Sequence, residues 1–175
     1  MLRRLALPAL VALPILSACT TMHGGGPVPV ATGQIARANG TVLGAASITQ
    51  SANGLAITVN VAGMAPGAYG IHVHAVGRCD GPNFTTAGPH WNPSMRQHGR
   101  LNPQGSHHGD LPNLVVGADG IGRLNATLAG ALTGEGGLLD MDGASLIIHA
   151  RPDDELTDPT GNSGDRQACA VFTPR

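Results

Sequence analysis

The sequence of 175 residues contains no lysine, so all ten of its basic side chains are arginines. These arginines are scattered, and no basic run or aromatic-interleaved basic patch occurs along the chain. Because proteins that bind nucleic acids usually carry such a patch, we expect no nucleic-acid partner. Only four residues are aromatic, which leaves Val, Ile, Leu and Ala to form most of the core.

Long apolar runs are missing apart from residues 5–15, a stretch that is too short to span a bilayer. Arg3 and Arg4 precede this stretch and Leu16-Ser17-Ala18-Cys19 follows it, which is the layout of a secretory signal. The tetrapeptide resembles a bacterial lipobox and implies cleavage before Cys19 and lipidation of its thiol. The alternative is an ordinary secretory signal in which the cysteine is incidental.

Both interpretations place the mature protein outside the cytoplasm. We expect a signal peptide over residues 1–18, a polar tether over 19–32 and one domain over 33–175. The lipid at Cys19 would anchor the protein to a membrane, on the periplasmic face of the bacterial envelope.

Two cysteines remain after lipidation, Cys79 and Cys169. An oxidising compartment favours a disulfide between them. Free thiols or metal ligands are the alternative roles for this pair.

Strand signals dominate the mature chain. Leu55, Ile57, Val59 and Val61 alternate with smaller or polar residues, and Asn-Gly or Asp-Gly turns occur at 39–40, 53–54 and 119–120. Further strands are predicted at Gln34–Ala38, Val42–Thr49, Tyr69–Ala75, Leu114–Ala118, Arg123–Leu128, Ala144–Ala150 and Ala168–Phe172. This pattern predicts an all-β fold, a Greek-key antiparallel sandwich or flattened barrel of about eight strands. Residues 79–113 and 151–167 show no strand pattern and are predicted to be long functional loops.

Seven of the eight histidines lie between His72 and His149. His72 and His74 occupy alternate positions of one predicted strand, so both imidazoles face the same side. His90, His98, His107 and Asp110 follow in the first irregular segment, and His149 ends another apolar run. So many imidazoles favour a borderline transition metal such as copper or zinc. The alternatives are core histidines, surface loop residues and, for Asp110, a turn residue.

Several motifs carry a resemblance to a known family. GIHVH, Cys79, AGPHWNP, QHG, HHGDLPN, SLIIH with Asp153-Asp154, and GDRQAC occur in the order of the signatures of copper–zinc superoxide dismutase. The chain is similar to this family over about residues 33–173. The resemblance implies that family's β-sandwich fold and one copper and one zinc ion per chain.

The resemblance also assigns the site residues. Copper would be bound by His72, His74, His90 and His149, and zinc by His90, His98, His107 and Asp110, so that His90 bridges the two ions. Arg166 matches the active-site arginine, Asp153 the aspartate that links both metal sites, and Cys79 and Cys169 the disulfide. His107 rather than His108 has the family's spacing to Asp110, which leaves His108 as a solvated or packing residue.

The implied activity is dismutation of superoxide to dioxygen and hydrogen peroxide, with His90 handling a proton. The permanently charged guanidinium of Arg166 suits an anionic substrate. A second hypothesis is an envelope protein that stores copper and zinc without turnover. A homodimer is possible, but these residues do not decide the oligomeric state.

Residues next to these candidate ligands have other predicted roles. Asp154, Glu155, Asp158 and Asp165 are predicted to form a solvated acidic edge, and Trp91 is predicted to pack under its loop. Family members often carry lysines before the active-site arginine to attract superoxide, and these are missing here. We therefore expect the rate to depend less on ionic strength than it does in lysine-rich family members.

Overall fold

A computed structural model describes residues 29–51 and 54–175 of the chain. The predicted signal peptide, Cys19 and most of the predicted tether lie outside these residues, as does Asn53 of one predicted turn. Among the described residues, no helix has the length and apolar character needed to cross a membrane.

The described residues form ten strands and a single turn of 3₁₀ helix at Thr85–Ala87. The strands are β1 (Pro29–Arg37), β2 (Val42–Ser51), β3 (Gly54–Val61), β4 (Gly67–Tyr69), β5 (Ile71–His74), β6 (Leu114–Val116), β7 (Gly122–Leu128), β8 (Ser145–His149), β9 (Arg166–Val171) and β10 (Thr173–Pro174).

The strands pair in the order β4-β6-β7-β3-β2-β1-β9-β8-β5, and β10 pairs with β1. All these pairs are antiparallel, and the sheet curls into a nearly closed barrel, which confirms the predicted all-β fold. The connection from β3 to β4 passes over β7 and β6, and that from β7 to β8 crosses to the other side of the sheet, where β8 lies between β9 and the edge strand β5, as in Greek-key topologies.

The core follows the alternation in the sequence. In β3 the side chains of Leu55, Ile57, Val59 and Val61 are buried, whereas Ala56 and Asn60 are exposed. Because successive strand residues point to opposite faces, one apolar face from each strand fills the barrel. Ile35 of β1 and Ile48 of β2 belong to the same buried cluster.

Two predicted boundaries differ from the structure. The predicted strand Tyr69–Ala75 is two strands, because Gly70 donates to the carbonyl of Arg151 (2.8 Å) and accepts from the amide of His149 (2.8 Å). The chain thus changes partners at Gly70. At the other end, β1 starts at Pro29, inside the predicted tether, since it pairs with β2 from that residue onward.

Long irregular segments lie where two functional loops were predicted. We name them loop A (residues 75–113) and loop C (residues 150–165), and loop B (residues 129–144) is a third segment that was not predicted to be functional. The predicted disulfide is confirmed: Cys79 and Cys169 are bonded and tie loop A to β9.

Candidate metal centre

The site is built on β5, where apolar side chains alternate with histidines. All four residues Ile71, His72, Val73 and His74 are buried. Ile71 and Val73 belong to the barrel core, so the two histidines between and after them face the opposite side. Loops A and C cover that side.

Loop A is hydrogen-bonded along β5. The amide of Val73 donates to the carbonyl of Gly109 (2.9 Å), and the carbonyl of Val73 accepts from the amide of Trp91 (2.8 Å). A side chain at 109 could not fit here, because its Cβ would lie 2.2 Å from the carbonyl oxygen of Val73. This close approach sets His90 opposite His74 and Asp110 opposite His72.

The first ligand group consists of four buried histidines whose ligand atoms lie within 4.8 Å of one another: His72, His74, His90 and His149. Four of their nitrogens are buried and lack any hydrogen-bond partner in the described structure: His72 Nδ1, His74 Nε2, His90 Nε2 and His149 Nε2. Burying one such nitrogen unpaired costs about 1–3 kcal/mol. A convergent set of unpaired imidazole nitrogens is the donor set that copper prefers.

The opposite nitrogens of these rings are held in place. His74 Nδ1 donates to Gly88 O (2.8 Å), His149 Nδ1 to Gly164 O (3.0 Å), and His72 Nε2 to Asp153 Oδ2 (2.6 Å). These bonds fix the tautomer that leaves the inner nitrogen free to bind a metal. Burial lowers the pKa of His72 to about 3 and that of His149 to about 4, so both rings are neutral at pH 7.

The second ligand group surrounds Asp110. Its Oδ1 lies 3.0 Å from His90 Nδ1, 3.0 Å from His98 Nδ1 and 3.3 Å from His107 Nδ1. The Nδ1 atoms of His90 and His107 are 3.2 Å apart. Ligands at a tetrahedral zinc ion with bonds of about 2.0–2.1 Å are about 3.3 Å apart. The three imidazoles and the carboxylate therefore fit a closed zinc shell.

One ring is common to both groups. The Nδ1 atom of His90 belongs to the set around Asp110, and its Nε2 is one of the unpaired nitrogens of the first group. A ligand atom of His72 also lies within 4.8 Å of those of His90, His98 and Asp110, but its Nε2 is bound to Asp153, whereas His107 Nδ1 faces Asp110 and His90. His90 is thus the ring whose two nitrogens could each bind a different metal ion.

Asp153 connects the two groups from the other side. Its Oδ2 accepts from His72 Nε2, and its Oδ1 accepts from His98 Nε2 (3.1 Å). The carboxylate is almost entirely buried. Asp153 thus contacts one histidine of each group, and its role as the aspartate that links two metal sites stays a prediction.

Charge interactions within the second group shift the pKa values of Asp110 and His98 in opposite directions. Burial acts to raise the pKa of Asp110, but hydrogen bonds from His107, His90 and His98 outweigh it and hold this pKa well below its usual range. Burial likewise acts to lower the pKa of His98, but Asp110 and Asp153 raise it to about 9. A ring with a pKa of about 9 is a positively charged imidazolium at neutral pH when no metal ion is bound.

Arg166 starts β9 beside this centre. Its Nη1 donates to Phe84 O (2.6 Å) and its Nη2 to Gly88 O (2.8 Å), so two carbonyls of loop A orient the guanidinium. Arg166 and His90 line one cleft of about 650 Å³. Partial burial lowers the pKa of Arg166 from its very high usual value.

All three loops form the walls of this cleft. Loop A contributes Trp91, Arg96 and His107, loop B contributes Gly136, Asp140 and Asp142, and loop C contributes Asp158 and Thr160. Trp91 does pack under its loop, and its indole N–H also donates to Gly136 O (3.0 Å). This bond attaches loop B to the site.

Two predictions about neighbouring residues have different outcomes. His108 shares a hydrogen bond with Ser94 (2.7 Å) and packs edge-on against Trp91, as a packing residue would. Asp158 is not merely part of a solvated acidic edge, because its Oδ1 accepts from the amide of His98 (2.5 Å). Of the other acids in that set, Asp154 and Asp165 are exposed and Glu155 pairs with Arg100 (2.8 Å).

Several groups that shape the site were not predicted from the sequence. The carbonyls of Phe84 and Gly88 leave no signal in a side-chain pattern. Gly161 lies so close to Asp153 that a Cβ there would be 1.7 Å from Asp153 Oδ1. The Asp140-Met141-Asp142 triplet of loop B was the one visible sign of its acidic wall.

Comparison with known proteins gives consistent results. The family model described as copper/zinc superoxide dismutase matches residues 42–172. A superoxide dismutase [Cu-Zn] of Caulobacter vibrioides is 38% identical over 81% of this chain and 84% of its own length. One of Deinococcus radiodurans is 38% identical over 98% of both chains.

Solved structures agree in fold. A SOD-like protein from Bacillus subtilis superposes with a TM-score of 0.77 at 38% sequence identity, over 81% of this chain and 97% of the other.

Proposed function

Since the chain belongs to the copper/zinc superoxide dismutase family, we propose that its two ligand groups hold one copper and one zinc ion and serve superoxide dismutation in the bacterial envelope. The observation that carries this proposal is the position of His90, whose two ring nitrogens belong to different groups. A storage protein has no need of a ring shared by two ions.

The copper residues are His72, His74, His90 and His149, and the zinc residues are His90, His98, His107 and Asp110. Copper supplies one-electron oxidation and reduction when bound. The second group is a closed shell of four ligands, which is typical of structural zinc. Asp153 fixes His72 and His98 and so keeps the two groups at a constant separation.

Arg166 binds and orients the anionic substrate. Its guanidinium uses one N–H of each terminal nitrogen to hold loop A, which leaves its other donors to face the cleft. A planar fork of donors is suited to holding a small dioxygen anion in one orientation.

His90 is the residue we assign to proton delivery, at its Nε2 atom. Burial lowers the pKa of His90, so a protonated ring would give its proton up readily to a peroxide anion in the cleft.

Metal analysis combined with a superoxide-consumption assay tests the proposal. We expect one copper and one zinc per chain, a rate lowered at least tenfold in Arg166→Ala with both metals retained, and selective loss of zinc in His107→Ala. Metal uptake without superoxide consumption would instead support the storage hypothesis.

Export and lipidation are proposed from the sequence. Leu16-Ser17-Ala18-Cys19 supplies the modification site, and a disulfide such as Cys79–Cys169 persists in oxidising compartments. Mass spectrometry of the membrane fraction should find a diacylated Cys19, and Cys19→Ala should release the protein from membranes. An unmodified Cys19 in a membrane-free fraction would contradict the anchor.

A further inference from the structure

Each ligand histidine has an outer nitrogen, the ring nitrogen that points away from its ligand group and can donate its proton to a neighbouring acceptor. Apart from the bridging His90, four of the five ligand histidines place their outer nitrogen within 3.1 Å of an acceptor, which is a backbone carbonyl or Asp153. His107 differs. In the described part of the chain, the acceptor recorded near its Nε2 is Asp158 Oδ1, at 3.9 Å.

Asp158 also contacts a second ligand of the same group. Its Oδ1 accepts the amide proton of His98 at 2.5 Å, while lying in ion-pair range of His107 Nε2. One carboxylate oxygen therefore touches the backbone of one zinc ligand and faces the side chain of another. The side chain of Asp158 is 48% exposed, whereas that of His107 is 8% exposed, so the carboxylate lies on the solvent side of the buried ring.

We infer that Asp158 is a positioning residue for zinc, acting as the outer partner of His107 and tying loop C to the zinc ligands of loop A. This inference rests on the proposed metal centre. A histidine that binds zinc through Nδ1 carries its proton on Nε2, and a carboxylate is a common acceptor for that proton. The bond would fix the ring of His107 and raise the basicity of its Nδ1.

The same carboxylate lines the cleft that contains Arg166. Two carboxylates of loop C therefore lie next to proposed zinc ligands. Asp153 is buried between the two ligand groups, and Asp158 lies in the wall of the cleft. Zinc binding would hold this part of the wall in place, and zinc loss would release it.

The rate of zinc loss from the fully loaded protein to a chelator tests this role directly. Asp158→Asn keeps the size of the side chain but weakens the acceptor, and we expect zinc to leave about tenfold faster, the lower end of outer-partner effects. Asp158→Ala should lose zinc at least as fast. Copper content should stay unchanged in both variants.

Asp154→Asn is the matched control. Asp154 lies in the same loop and accepts hydrogen bonds from Leu156, Thr157 and Asn162, but none from a ligand residue in the described structure. Its variant should release zinc at the wild-type rate. Equal acceleration in Asp154→Asn would show that general loosening of loop C is responsible and would overturn the inference.

Nitrogen-15 NMR of the reduced, zinc-loaded protein supplies a second readout. The Nε2–H of His107 should be protected from solvent exchange in the wild type and lose that protection in Asp158→Asn. Wild-type zinc retention and protection in this variant would overturn the role of Asp158. A wild-type protein that never retains zinc would instead overturn the metal centre itself.

Discussion

His74 and Arg166 donate hydrogen bonds to one and the same carbonyl oxygen, that of Gly88, at 2.8 Å each. This oxygen therefore fixes both the tautomer of His74, a proposed copper ligand, and the orientation of Arg166 in the cleft. Because Cys79 bonds loop A to β9, where Arg166 begins the strand, the disulfide holds this shared acceptor in position.

The shared carbonyl distinguishes arginine from lysine at position 166. Arg166→Lys keeps the positive charge but cannot bond both Phe84 O and Gly88 O while presenting further donors to an anion. We expect kcat/KM for superoxide to fall by roughly threefold, less than in Arg166→Ala. Steady-state rates corrected for copper content measure this. A rate equal to that of the wild type would show that charge alone matters.

Gly161→Ala should disturb the proposed zinc ligands although it replaces none of them. Gly161 has φ = 60°, and a Cβ there would lie 1.7 Å from Asp153 Oδ1 and 2.8 Å from His98 Nε2. Loop C must therefore shift away from Asp153. We expect a lower Tm and an at least tenfold weaker hold on zinc, measured by chelator competition.

Gly134→Ala provides the control for backbone strain. Gly134 has φ = 93°, and a Cβ there would meet nothing within 4 Å. This variant incurs the penalty of a left-handed residue, about 1 kcal/mol, without a clash. A zinc affinity equally reduced in both variants would mean that the contact with Asp153 is irrelevant.

Asp153→Asn should uncouple the two ligand groups. Two imidazole N–H groups, from His72 and His98, donate to its two carboxylate oxygens. An asparagine offers one oxygen and one NH₂ group, so one histidine would face a donor instead of an acceptor. We expect zinc affinity to fall 10- to 100-fold. Asp119→Asn in the turn before β7 is the control and should bind zinc normally.

Local patterns predicted the scaffold well because they depend on neighbouring residues. The alternation in β3 and the His-x-His pair of β5 follow directly from the period of a strand. The split at Gly70 was missed because it arises from bonds to Arg151 and His149, which are far away in the sequence.

The outer contacts of the site were harder to predict for the same reason. The sequence predicts a solvated edge at Asp158 and gives no sign of its contact with His98. Its partner His98 lies 60 residues earlier, and their bond exists only once loops A and C meet. Backbone acceptors such as Gly88 O are equally invisible, because any residue supplies a carbonyl.

Ionic strength should affect this enzyme only weakly. Superoxide dismutases are a familiar example of electrostatic attraction of a substrate, which needs a cleft of positive potential. Here the guanidinium groups of Arg96 and Arg166 line the cleft together with three carboxylates, Asp140, Asp142 and Asp158. Because positive and negative side chains line the same cleft, their fields partly cancel, and screening by salt has little net field to remove. We expect kcat/KM to change less than about threefold between low and physiological salt.

Arg96→Gln tests whether positive and negative charges in the cleft offset each other. Arg96 is held by Gln104 O (3.3 Å) and Gly105 O (2.7 Å) and pairs with no carboxylate among the described residues, so its charge acts on the cleft undiminished. Removing it should lower kcat/KM about two- to threefold at low salt and make the rate rise as salt is added, because the remaining carboxylates repel superoxide. Arg100→Gln is the control, since Arg100 pairs with Glu155. A steep fall of the wild-type rate with salt, or identical salt profiles for the two variants, would refute the balanced cleft.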